Sequence, residues 1–220
     1  MNEEKLKRGQ NMQATGNPNI NTREYWDEVY KTPEKRKGYA AQGTHSTCAA
    51  EGKKTARFER TLQEVKNGDK FLDIGCGVGL MTSMVKEKYP DCDVYGVDIS
   101  AQVVEDNKKE HPNINYTQGE VGNLSYPDNF FDVIFSGETI EHLDEPQLFF
   151  EEAFRFLKKK GKLIITTPLM DNIQSPEHTW LYTQDDVTDL YEQGGITNIQ
   201  FVYLPDQEHL MVIYAIGTKE

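Results

Sequence analysis

Between residues 71 and 79 the chain reads Phe-Leu-Asp-Ile-Gly-Cys-Gly-Val-Gly, with an acid at Asp73 and glycines at Gly75, Gly77 and Gly79. A strand that delivers a carboxylate into a GxGxG turn, with a helix behind it, suits ligand binding, because glycine lets the backbone turn sharply and approach a bound molecule closely. The spacing is not the GxGxxG of dinucleotide sites, where helix N-terminal amides meet a pyrophosphate. Asp73 stands two residues before the first glycine, where its charge opposes a pyrophosphate and attracts a ligand ammonium. A second acid, Asp98, ends the next apolar run nineteen residues beyond Gly79. From that position a carboxylate holds two ribose hydroxyls. A third group, Glu138, Glu141 and His142, forms an ExxEH pattern whose members share a face if they lie on a helical turn. Two carboxylates and an imidazole side by side suit proton transfer or the holding of a divalent ion.

These residues need elements to position them. Lys70 to Ile74 reads as a buried strand, Leu80 to Tyr89 as the helix after it, and Val94 to Val97 as a second strand. A helix from Ala101 to Glu110, a strand from Ile114 to Thr117 and a strand from Phe131 to Phe135 follow. Pro146 to Leu157 is an amphipathic helix, Lys162 to Thr166 a strand closed by Pro168, and Thr183 to Glu192 a helix stopped by Gly194-Gly195. Ile199 to Leu204 and Leu210 to Ile216 flank Pro205-Asp206 as an antiparallel hairpin. Repeated β-α-β units predict an α/β fold, a doubly wound, mostly parallel sheet with helices on both faces. Ahead of it, Asn21-Thr22 caps a helix from Arg23 to Lys31, and a second helix runs from Lys53 to Val65. The intervening GYAAQGTHSTCAAEG is a small, polar loop. The expected organisation is a mobile tail over 1–20, a helical cap over 21–65 and a ligand-binding domain over 66–220.

Composition narrows the function classes. The 220 residues carry a formal net charge of −12 and no apolar run long enough to span a bilayer. The polar start lacks the apolar core of a signal peptide. Three cysteines (Cys48, Cys76, Cys92) form no CxxC pair, which fits a reduced, cytoplasmic setting. Residues 1–60 hold 12 Lys/Arg against 8 Asp/Glu, and the remainder holds 12 against 28. So acidic a body disfavours nucleic-acid backbone binding. The basic residues Lys35, Arg36, Lys37, Lys53, Lys54, Arg57 and Arg60 either solvate a helix surface or attract a small anionic acceptor.

Taken together, DIGCGVG, VYGVDIS and GEVGNLSYPDNFFDVIFSGETIEHL resemble the first, second, and third-plus-fourth motifs of class I S-adenosylmethionine-dependent methyltransferases, in the small-molecule branch. The resemblance is close over residues 69–167 and looser elsewhere. It implies a Rossmann-like seven-stranded sheet of order 3-2-1-4-5-7-6 with the seventh strand antiparallel. It assigns Asp73, Gly75, Gly77 and Gly79 to the methionine part of the cofactor, Asp98 to the ribose, and Ile99 to the adenine face. Glu120-Val121 takes the adenine edge, with glutamate where the family usually has aspartate. Ser136 and Gly137 line the cofactor beside the acceptor. The run Tyr25-Trp26-Asp27-Glu28-Val29-Tyr30 resembles the family's cap helix, with Tyr25 or Trp26 over the sulfonium; an aromatic face docking as core is the plain alternative.

Methyl transfer from a sulfonium is an in-line displacement, so alignment of the reactants supplies much of the rate. A hydroxyl acceptor must also lose its proton. His142, aided by Glu141, stands at the family's acceptor side and is the candidate general base. The competing role for His142 is packing or orienting a loop. The expected activity is transfer of a methyl group from S-adenosylmethionine to a small-molecule acceptor, at a hydroxyl oxygen, with release of S-adenosylhomocysteine. The alternatives are an RNA-directed or metal-dependent 2′-O-methyltransferase, a silent cofactor-binding module, and a nicotinamide oxidoreductase, which the GxGxG spacing disfavours. ExxEH together with His178 also resembles the divalent-ion site of small-RNA 2′-O-methyltransferases. That likeness gives Glu138, Glu141, His142 and His178 as a candidate ligand set, with magnesium, manganese and zinc all open.

Overall fold

The computed structural model describes residues 21–32, 34, 56–169, 177–206 and 210–220. The expected tail over 1–20, the GYAAQGTHSTCAAEG loop and the basic residues from Lys35 to Lys54 lie outside them. The chain begins with α1 (Arg23–Lys31) and α2 (Ala56–Glu64). The alternation then runs β1 (Lys70–Ile74), α3 (Leu80–Lys88), β2 (Asp93–Asp98), α4 (Ala101–Glu110), β3 (Asn115–Gln118) and β4 (Phe131–Gly137). A single 3₁₀ turn over Ile140–His142 leads to α5 (Pro146–Phe156), β5 (Leu157–Pro168), α6 (Gln184–Gln193), β6 (Thr197–Asp206) and β7 (Leu210–Thr218).

All seven strands join one sheet of order β3-β2-β1-β4-β5-β7-β6. The pairs from β3 through β5 are parallel, and β7 is antiparallel to both β5 and β6. The doubly wound sheet and the closing hairpin are therefore as expected. Alternation along each strand builds two cores. In β1, Leu72 and Ile74 join Phe149, Phe150, Phe156 and Tyr191 under α5 and α6. Phe71 joins Phe58, Met81, Val85 and Val103 under α2, α3 and α4 on the other face. Each face buries side chains worth about 1.5–3 kcal/mol apiece, which fixes the strand register and so the strand ends.

Helix caps are local and follow the sequence. Thr22 accepts from the Tyr25 amide at 3.2 Å, Ser100 accepts from the Val103 amide at 3.3 Å, and Thr183 with Asp186 forms a capping box. Two elements differ from expectation. Strand β5 starts at Leu157, five residues early, because Leu157 pairs with Phe131 across a register shift before Val133 meets Lys162. The helical turn that would put Glu138, Glu141 and His142 on one face does not form. Glu138 has φ of +52°, and only Ile140–His142 is helical, as 3₁₀.

Candidate functional site

In the sheet the strand order reverses between β1 and β4, and a cleft enclosing about 1090 Å³, mouth included, opens at the carboxyl ends of the strands on either side. Gly75, Asp98, Ile99, Glu120, Val121, Glu138 and His142, all selected from the sequence, line it. The glycine loop holds its shape through its own amides. Gly75 and Cys76 donate to the Val97 carbonyl at 2.8 and 3.0 Å, and Gly77 donates to Asp98 Oδ2 at 2.9 Å. Gly75 has φ of +76°, and a Cβ there would lie 2.3 Å from Thr139 Oγ1, so a larger residue at this position is strained and must displace Thr139.

Asp73 is 2% exposed, and its Oδ1 has no hydrogen-bond partner among the described residues. Burial first, and the charge of Asp98 second, push its carboxyl well above the ordinary carboxylate range. Asp98 accepts from the amides of Ser100 and Gly77, both at 2.9 Å, yet burial outweighs these bonds and raises its pKa to about 6. Two buried acids with no ion pair among the described residues are costly unless a cation joins them. S-adenosylmethionine, with an ammonium, a sulfonium and ribose hydroxyls, fits that deficit.

Helix α1 closes one side. Asp27 accepts from Ser100 Oγ at 2.6 Å and from the Gln102 amide at 3.1 Å, which pins α1 to the start of α4. Trp26 and Tyr30, one turn apart, line the cleft, and the Trp26 ring meets His142 edge-on at 5.2 Å. Tyr25 instead bonds through its hydroxyl to the Glu177 carboxylate. The cap face turned to the cleft is therefore Trp26 and Tyr30 rather than Tyr25. Ser136 is buried and donates to the Ile74 carbonyl at 2.7 Å, tying β4 to β1. Neither Ser136 nor Gly137 is among the lining residues.

At the acceptor end the polar residues divide. Glu138 Oε1 lies 3.1 Å from Nη1 of the buried Arg57 and stands outside the Glu141–His142–His178 group. The positive φ at Glu138 removes it from the helical face that ExxEH suggested. His142 is half-buried and donates from Nδ1 to the Glu177 carbonyl at 2.7 Å, which leaves Nε2 unprotonated in the neutral ring. Burial lowers its pKa to about 4. The apolar wall of Leu124, Leu143 and Leu148 was not visible in the sequence, because isolated leucines in loops and at a helix start carry no periodic signal.

Residues 72–165 match the family model described as "Methyltransferase domain". The chain is 32% identical over 131 residues to phosphoethanolamine N-methyltransferase 3 of Arabidopsis thaliana, covering 57% of this chain and 26% of that protein. It is 27% identical over 143 residues to a malonyl-[acyl-carrier protein] O-methyltransferase of Hahella chejuensis, covering 64% and 51%. It thus spans about a quarter to a half of these relatives' lengths. The fold also matches a phosphoethanolamine N-methyltransferase 2 of Haemonchus contortus, solved with S-adenosyl-L-methionine. There the TM-score is 0.71 at 15% identity, over 90% of this chain and 59% of that one.

Proposed function

We propose that this chain, a class I S-adenosylmethionine-dependent methyltransferase, transfers a methyl group to a hydroxyl oxygen of a small-molecule acceptor. The observation that carries the cofactor assignment is the buried pair Asp73 and Asp98, uncompensated beside a glycine loop that excludes side chains. The cofactor supplies an electrophilic methyl group; the chain supplies binding, alignment and acceptor activation. Asp98 takes the ribose hydroxyls, Ile99 and Val121 enclose the adenine with Glu120 at its edge, and Asp73 faces the ammonium. Trp26 and Tyr30 exclude water from the sulfonium side, within a cap over 21–65. The unprotonated Nε2 of His142 is the acceptor-side resource: a lone pair held in one orientation by the Glu177 carbonyl.

The relatives include both N- and O-methyltransferases, so the acceptor atom is set by this chain's own mouth. The described lining has five carboxylates (Asp98, Glu120, Glu138, Asp144 and Glu145) and no Lys or Arg. That supports a neutral acceptor over the anionic one that the basic N-terminal segment suggested. No helix among the described residues is long and apolar enough to cross a membrane. Cys76 and Cys92 are free and buried, which supports a reducing, cytoplasmic setting.

A panel of alcohols, phenols and amines, read by S-adenosylhomocysteine release, tests the acceptor assignment. The expected result is turnover confined to hydroxyl compounds. Turnover on amines alone would replace oxygen with nitrogen as the acceptor atom.

A further inference from the structure

Behind the lining residue His142 lies a compact group with mixed donors. One donor atom from each of Glu141, His142 and His178 lies within 4.8 Å of the other two. Glu141 is 1% exposed; its Oε2 accepts from Thr167 Oγ1 at 3.1 Å, and its Oε1 has no hydrogen-bond partner among the described residues. A buried carboxylate oxygen left without a donor is expensive, and a cation is the partner that repays it most fully. Arg57, whose charge also favours the ionised form of Glu141, lies 3.1 Å from Glu138 Oε1.

The surroundings are arranged as those of a ligand set. Metal-binding histidines usually donate their second ring nitrogen to a carbonyl or carboxylate, which fixes the tautomer. His142 does so toward the Glu177 carbonyl at 2.7 Å. The Glu141 carboxylate is itself oriented by Thr167. The segment that brings His178 is fastened to the 3₁₀ turn, since the Thr179 and Trp180 amides donate to the Glu141 carbonyl at 2.8 and 3.0 Å. The Glu141 and His142 side chains are therefore each held by a bond that leaves a second donor atom for an ion, and the backbone beside His178 is fixed to the same turn.

We propose that Glu141, His142 and His178 bind one divalent transition-metal ion beside the cleft that His142 lines. Two imidazoles and one carboxylate suit zinc, cobalt or manganese; magnesium prefers an oxygen octahedron and is a poor match. Glu138 takes no part. The inference rests on the acceptor-side role given above to His142, whose lone pair is then donated to the ion. A bound ion lowers the pKa of a hydroxyl resting on it, so the acceptor oxygen becomes nucleophilic near neutral pH.

Titrating the chelator-treated full-length chain with cobalt(II) tests this without any turnover assay. The expected result is visible d–d absorption saturating at one equivalent and displaced by zinc. Glu141→Gln and His178→Ala should each weaken binding at least about 100-fold, beyond the loss typical of outer-sphere changes. Calorimetric S-adenosylhomocysteine binding should persist in both variants, which separates loss of the ion from loss of the fold or of the cofactor site. If Glu141→Gln fails to fold, His178→Ala decides alone. Absent cobalt bands in a wild type that binds S-adenosylhomocysteine would overturn the metal site and leave Nε2 to take the acceptor proton directly. An unchanged cobalt spectrum in His178→Ala would overturn it as well.

Discussion

Replacing Asp98 with alanine should remove nearly all of the thermal stabilisation that S-adenosylmethionine gives the protein. At a ligand concentration of about 100 times Kd, mass action stabilises the wild type by about 2.7 kcal/mol, or roughly 5–10 °C in Tm for a chain of this size. In the proposed site Asp98 would meet the ribose with an ionised carboxylate, and bonds of that kind contribute about 1.5–3 kcal/mol each. Asp98 also receives the Gly77 and Ser100 amides at 2.9 Å, so its loss loosens the glycine loop as well. A 100-fold weaker site leaves about 0.4 kcal/mol at the same concentration, a shift of about 1 °C. Differential scanning fluorimetry reads both numbers, and equal shifts in wild type and variant would place the cofactor elsewhere.

Acidification of the wild type should imitate the substitution. The Asp98 pKa is raised to about 6, so cofactor affinity should be constant above about pH 7 and fall as pH drops through 6. The ligand-free protein responds in the opposite sense. A carboxyl whose folded pKa is raised contributes stability fully present below its unfolded value near 3.9 and lost as pH rises through 6. The cofactor-induced increment should therefore shrink with acid even though this group's own term does not destabilise the empty protein.

His142→Ala should lower turnover by about 10²–10⁴ while S-adenosylhomocysteine binding changes by less than about threefold. His142 lines the cleft beside Trp26, whereas the glycine loop and Asp98, to which the cofactor is assigned in the proposed function, belong to other elements. The expected signature is a fall in kcat without a matching fall in cofactor affinity. Unchanged kcat would reduce His142 to a packing residue, and parallel loss of binding would make its role structural. A silent cofactor-binding module would have no turnover to lose.

The legible parts of the fold were those governed by local signals. Helices Arg23–Lys31 and Ala101–Glu110 and strand Lys70–Ile74 fall where caps, glycines and apolar runs put them. The early start of β5 was hidden because Lys158 to Gly161 is a charged run ending in glycine, and only the flanking Leu157 and Lys162 pair with β4 across a register shift. In the site, the spacing of Asp73, the glycines and Asp98 pointed to the cleft that Gly75 and Asp98 line. Of the two candidates Tyr25 and Trp26, Trp26 lines the cleft, together with Tyr30, and the signal was present: residues four apart share a helix face. The ExxEH reading failed at Glu138 because a positive φ is set by the loop around it and leaves no mark in residue type. His178 joins Glu141 and His142 through a tertiary contact between segments 36 residues apart, which no local pattern encodes.

The most direct test of the central claim is calorimetric titration of the purified wild type with S-adenosylhomocysteine, with NAD titrated in parallel. Both ligands carry adenosine, but only the first places an ammonium where Asp73 lies buried with an unpartnered Oδ1. Saturable one-to-one heat with S-adenosylhomocysteine and none with NAD is the predicted result. Saturable binding of NAD without binding of S-adenosylhomocysteine would contradict it.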